Sequence, residues 1–278
     1  LEALSKTEPQ FEEYLTLLKT QTFESGNPNL LGLMLVHLNL FNTEDIETYL
    51  CRFEQIEPES DRIELLRLLL EIQETLDSEK QQLCLAAVTD AAIGLDDEGL
   101  LETLLAHMPA LDSVTFSQFI AALRNRAIDT RDLALVHALM NSISALNSDC
   151  VQEILGLVTS VATEIGDADL FDSLLPYCAQ LSDEDFEQIL TAFQTRAQTQ
   201  SDPTLFTALE DRSWSPERSS LYLTALQSLA TELAEPNFML DTLSKLSEGT
   251  EEVCAEYLTA IEDVIVQKAT PVLLDTLC

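Results

Sequence analysis

Two leucine-rich motifs alternate along this chain of 278 residues at a nearly fixed spacing, and that periodicity limits its possible folds more than any other feature. The first is two apolar residues, a mostly polar one, a usually small one and a further apolar one, as in Leu100-Leu101-Glu102-Thr103-Leu104. It starts at Leu30, Leu65, Leu100, Leu135, Leu170 and Leu205 in steps of 35, then at Met239 and Leu273 in steps of 34. The second, as in Ile120-Ala121-Ala122-Leu123, starts at Leu15, Leu50, Leu85, Ile120, Leu155, Leu190, Leu223 and Leu258, with one step of 33 before Leu223. Leucine is so common, 52 residues, that one match means nothing, but two motifs keeping an offset of 15 or 16 through eight copies define a repeat.

A repeat of this length holds two helices and a turn. Glycine (7) and proline (9) are too sparse for the turns of a β-sandwich, and leucine favours helix. Proline follows a polar residue at Asp202-Pro203, Ser215-Pro216, Glu235-Pro236 and Thr270-Pro271, the first-turn position where its missing N–H costs nothing. Ser182-Asp183-Glu184-Asp185 puts a hydroxyl cap and three carboxylates at the positive end of a helix carrying Phe186, Ile189, Leu190 and Phe193 at the 3.6-residue period. The expectation is an all-α chain of eight hairpins, at 9–40, 43–75, 78–110, 113–146, 148–180, 182–213, 215–248 and 249–278. No hairpin of this size buries both faces alone, so neighbours must stack, giving one right-handed α-α superhelix, a solenoid domain spanning 1–278. The anchors Leu50, Leu85, Ile120, Leu155, Leu190 and Leu223 are expected in its core.

In period and hairpin layout the chain resembles the tetratricopeptide and pentatricopeptide repeat families over nearly its whole length. The Ala121-Ala122, Thr191-Ala192 and Thr224-Ala225 pairs look like the small helix-packing positions of those families. The tetratricopeptide Trp, Gly, Tyr and Pro are not at their fixed positions, and the sole tryptophan, Trp214, falls in a connector. The pentatricopeptide resemblance would imply single-stranded RNA binding, which fits poorly with the charge of this chain.

That charge is −35, from 14 Lys and Arg against 49 Asp and Glu. Contacts to phosphate need cations that are scarce here, so neither nucleic acid nor an anionic membrane is expected as a partner. The longest apolar stretch, Leu30 to Phe41, is about 12 residues and holds His37 and Asn39, too short and too polar to span a bilayer. The six cysteines (Cys51, Cys84, Cys150, Cys178, Cys254, Cys278) make none of the close pairs of zinc or redox motifs, which fits free thiols in a reducing, cytoplasmic compartment, or in a host cell after translocation.

Catalytic signatures are missing: there is no Gly-x-Ser-x-Gly, no Gly-rich phosphate loop and no Cys/His pair, and neither cofactor nor metal is expected. Asp167, Asp169 and Asp172 lack the glycine and distal glutamate of a calcium loop. His37 and His107, two repeats apart, stand roughly 20 Å from one another and cannot share an ion. His137, at the polar position of its motif, reads as a surface residue.

What remains is recognition. Between Asp132 and Thr195 there is no Lys or Arg and there are 11 acids, Asp169, Asp172 and Glu187 among them, which reads as a docking surface for a basic protein segment. One and five residues past each second-motif anchor stand small and short polar residues, ending in Asp90, Asn125, Ser160, Thr195 and Ser228, and earlier in Thr20 and Gln55. Positions i and i+4 share a helix face, so stacked repeats would turn them into a ladder along a groove that admits an extended peptide. Trp214 lies where the repeat shortens and is either an apolar plug over a hairpin end or an anchor for a partner. The reading is a non-catalytic, acidic scaffold that binds a protein partner. Its alternatives are a secreted effector or regulator that imitates nucleic acid and, behind that, an enzyme with a site assembled across repeats.

Overall fold

The structure, a computed structural model, describes residues 9–53, 55–203, 206, 214–246 and 258–259. The hairpin expected at 249–278, with Cys254, Asp263 and Cys278, lies essentially outside the described residues. Among those described the chain is all-α, with no strand. Long and short helices alternate: α1 (Pro9–Ser25) and α2 (Pro28–Leu35), α3 (Thr43–Phe53) and α4 (Glu59–Ile72), α5 (Ser78–Leu95) and α6 (Glu98–Leu105), α7 (Ser113–Thr130) and α8 (Ala134–Ser142). They continue as α9 (Ser148–Ile165) and α10 (Ala168–Leu174), α11 (Asp183–Gln200), then α12 (Pro216–Leu233) and α13 (Pro236–Leu246). No helix among the described residues is long and apolar enough to cross a membrane.

From α3 onward each first helix is started by a side chain that accepts backbone N–H groups left over in its first turn. Asn42, Asp77, Asp112 and Asn147 do this for α3, α5, α7 and α9, at 2.8 to 3.1 Å. Ser182 and Ser215 follow for α11 and α12, the column advancing by 35 residues and finally by 33. Both Asp77 and Asp112 titrate below the usual carboxylate range, Asp77 chiefly through its bond from the Lys80 side chain and Asp112 chiefly through the Thr115 backbone N–H. Second helices are entered the same way: Asn27, Asp97, Asp132 and Asp167 accept from Asn29, Leu100, Ala134 and Leu170.

First helices end in a left-handed residue, which turns the chain back within a few positions. Glycine takes that conformation at Gly26 and Gly166, but Asp96, Arg131, Ser201 and Ala234 take it too, at φ between 51° and 58°. The second repeat departs from this scheme. Its first helix, α3, stops at Phe53 after 11 residues, where α5, α7, α9, α11 and α12 each run for 18, and α4 is longer in compensation, at 14.

The chain divides into two compact units, Leu1–Val151 and Gln152–Cys278, with the boundary inside α9. Within the first, α3 packs on α1 and α5, and α7 on α5, while α4 packs on α2 and α6, and α8 on α6. First helices thus meet first helices, second helices meet second, and the apolar faces close between the layers on Met34, Leu69, Val88, Leu104 and Phe119. In the second unit α12 packs on α11 and α13, and the Phe171 and Phe193 rings meet at 5.0 Å. Leu85, Ile120, Leu155 and Leu190 are buried as the register requires, and Leu50 and Leu223 are half-buried. A tyrosine recurs at one repeat position with one role: Tyr49 donates to the Leu31 carbonyl at 2.7 Å and Tyr222 to the Phe206 carbonyl at 3.0 Å. Burial pushes the Tyr49 hydroxyl well above its ordinary pKa.

Candidate functional site

The second unit has a cleft of about 760 Å³ running along α11, and most of the residues that line it are of polar type. Glu184 and Glu187 stand at its N-terminal end, Arg196, Thr199 and Gln200 at its C-terminal end, with Thr191 and Thr195 between. Phe171 of α10 forms the floor, buried against Phe193, and Thr163 and Gly166 at the end of α9 form the opposite edge. The acids at one end and Arg196 at the other are separated by about 14 to 18 Å along the helix axis, at 1.5 Å of rise per residue.

The threonines are less polar than their hydroxyls suggest. Thr191, Thr195 and Thr199 each donate to the backbone carbonyl four residues earlier, at 2.8 to 2.9 Å. Their oxygens can still accept, but the donors on this wall are the amides of Gln188 and Gln200 and the guanidinium of Arg196. Arg196 has no ion pair among the described residues, and its Nε and Nη1 are buried with no hydrogen-bond partner.

A second cleft, about 490 Å³, lies in the first unit between α3, α4 and α5. Its α5 wall carries Leu83, Ala87, Asp90, Ala91 and Gly94, and it also meets Leu50, Cys51 and Leu66.

The residues singled out from sequence fall in several places. Thr195 and Glu187 meet in the larger cleft, and Asp90 lies in the smaller beside Cys51. Asn125 is exposed on α7, Ser160 half-buried on α9, and Ser228 accepts from the Gln194 amide at 3.0 Å, tying α12 to α11. The buried residues beside the ladder, Leu123, Val158, Phe193 and Leu226, face the core. Asp169 and Asp172 are exposed on α10 and do not line the cleft. Trp214, half-buried, packs edge-on to Phe186 at 5.3 Å and Tyr222 at 4.9 Å. Beside it Arg218 bonds Asp183 and the carbonyls of Cys178, Ala179 and Leu181, with its guanidinium 5.3 Å from the Phe186 ring centre. By sequence alone Arg196 is no more than the residue that ends the stretch without cations.

Other chemistry finds little here. Asp167 of the acidic trio caps α10, and no group of three or more metal-ligating side chains is gathered among the described residues. His107 lies 3.2 Å from the Gln73 amide and His137 is half-buried on α8. Of the four described cysteines, Cys84 and Cys178 are buried, Cys150 is half-buried and Cys51 is exposed, and none of the four is in a disulfide.

No protein-family model matches the chain, and no curated protein matches it. A solved structure described as "Computational Design of Self-Assembling Cyclic Protein Homooligomers" aligns over 95% of this chain and 96% of its own at 13% identity. The TM-score of 0.16 is too low for that likeness to bear on fold or function.

Proposed function

We propose that each unit is a stretch of right-handed α-solenoid of the tetratricopeptide-like kind, and that the chain is a non-catalytic scaffold binding an extended segment of a partner protein. The observation that carries the reading is the cleft along α11, where ladder residues Thr191 and Thr195 share one lining with Glu184 and Glu187. Its volume of about 760 Å³ suits a short peptide, within the roughly 300–1,000 Å³ of ligand sites generally.

The partner segment is basic. Exposed acids around the cleft, with Asp169 and Asp172 on α10, raise the local concentration of a cationic chain and speed its encounter. Docking accounts for the acids better than imitation of nucleic acid, because Asp77, Asp97, Asp112, Asp132 and Asp167 are turned onto helix N-termini rather than arrayed like phosphates. The test is charge reversal at Asp169, Asp172 and Glu187 together, read by stopped-flow association of a fluorescent oligolysine. Association slows strongly at low salt and little at high salt, where screening falls to a few ångströms. Equal rates for variant and parent at low salt would end the docking reading.

A further inference from the structure

The repeat supplies its own control for Arg196. Seventy residues earlier Arg126 occupies the same position on α7, five residues before the left-handed closing residue, as Arg196 does on α11. Arg126 is neutralised from the preceding hairpin: Nη1 bonds the side chain of Asp96 and, at 3.1 Å, its carbonyl, and Nη2 lies 3.6 Å from Glu98. The counterparts of those two acids beside Arg196 are Gly166 and Ala168. Both carboxylates are gone while the arginine stays: Nη1, which in Arg126 bonds Asp96, is buried and unpaired in Arg196, whereas Nε is buried and unpaired in both. The room for a carboxylate remains: a Cβ built on Gly166 meets nothing within 4 Å, and Gly166 lines the cleft.

We infer that Arg196 is a seat for a carboxylate brought by the ligand, taking the place that Asp96 fills for Arg126. The inference rests on the peptide-binding reading above and makes it specific: the segment bound along α11 carries a cation for Glu187 and an acid for Arg196. A guanidinium with open donors fixes a carboxylate in a forked geometry that a lysine could not supply. Asp96 demonstrates within this molecule that a carboxylate can sit beside a first-helix C-terminus when an arginine faces it. A singly charged carboxylate is favoured over a phosphate, because Glu184 and Glu187 in the same cleft repel a dianion more. The spacing follows from the helix. Nine residues from Glu187 to Arg196 rise about 14 Å and turn about half way round α11, so the ligand's cation and acid stand at least about four extended residue steps apart.

The experiment uses the whole chain and four fluorescent peptides read by anisotropy at low salt. One has lysine, three alanines and glutamate, blocked at both ends, and in two others glutamine or phosphoserine replaces the glutamate. The fourth ends in a free carboxylate at the glutamate position. The glutamate or chain-end peptide binds about tenfold more tightly than the glutamine peptide, the size of a charge-assisted pair, and the tighter of the two identifies the source of the carboxylate. Arg196→Gln abolishes that ratio. Gly166→Asp does the same by restoring the internal partner, and should it fail to fold, Ala168→Glu restores the counterpart of Glu98.

If neither the glutamate nor the chain-end peptide binds more tightly than the glutamine peptide, the inference is overturned while peptide docking stays intact, as it is by a ratio that survives Arg196→Gln. Tightest binding of the phosphoserine peptide overturns the carboxylate assignment. No binding of any lysine peptide, oligolysine included, removes both readings together.

Discussion

The two clefts are one structural position seen twice. Leu83, Ala87, Asp90, Ala91 and Gly94 on α5 match Gln188, Ala192, Thr195, Arg196 and Thr199 on α11 residue for residue, three periods of 35 further along, and their floors match too, Leu66 with Phe171. The hollow is therefore a product of the repeat, whereas its chemistry is written at each copy. In the first unit the wall is leucine, alanine and glycine with a single acid; in the second it is amide, threonine and arginine. The wall positions on α5 and α11 lie outside the leucine columns that build the core, so their chemistry can change from copy to copy without altering the fold.

That equivalence can be broken most forcefully at the floors. Phe171→Ala should cost about 3–5 kcal/mol and Leu66→Ala about 2–5 kcal/mol in urea unfolding, since both side chains are buried and leave cavities. A cost for Leu66→Ala of under about 1 kcal/mol would mean that the two floors are not the same element. The caps of the two walls come next. Ser182→Ala should destabilise by about 1 kcal/mol through the loss of the α11 cap. Its counterpart Asp77, capping α5, titrates. Its folded pKa is depressed, so its contribution is present above the unfolded carboxylate value and is lost as pH falls through the folded one. Urea midpoints of Asp77→Ala and the parent should therefore converge in acid; a gap that stays constant with pH would show that Asp77 is not the cap.

Smaller still are changes to the walls themselves. Thr195→Arg and Asp90→Arg, both at exposed positions, should each alter stability by under about 0.5 kcal/mol. Only Thr195→Arg should abolish peptide binding; loss with Asp90→Arg as well would mean that both clefts serve the ligand. The mildest probe is alkylation. Exposed Cys51 in the first cleft should react with iodoacetamide without loss of binding, while Cys84, buried and with its thiol pushed up to about 12, stays unmodified until the chain unfolds, as peptide mapping would reveal.

What the sequence made visible was whatever depends on apolar burial. The leucine columns repeat because the core does, so the helices and most anchors could be read directly. Backbone devices were harder. Asp77 and Asp112 looked like two more acids among 49, although they are two members of a capping column that also takes Asn and Ser. Arg131 and Ala234 carry no hint of a left-handed residue, because the hairpin imposes that conformation against their own preference. The shortened α3 was invisible for a similar reason: its leucine register is intact and only the connector differs. In the cleft, Thr195 was legible as a small polar ladder residue, but its hydroxyl turns back onto its own helix. The openness of Arg196 could have been found by laying residues 166–196 over 96–126, since the signal was a pair of missing acids rather than any residue present.

The threonine bonds along α11 have a calorimetric consequence. With three hydroxyl hydrogens held by the helix, water over that wall has few donors to engage and is released readily when a ligand covers the threonine methyls. Covering apolar surface lowers the heat capacity, so binding enthalpy should become steadily more favourable with rising temperature, even for a ligand whose two ends are held by charge.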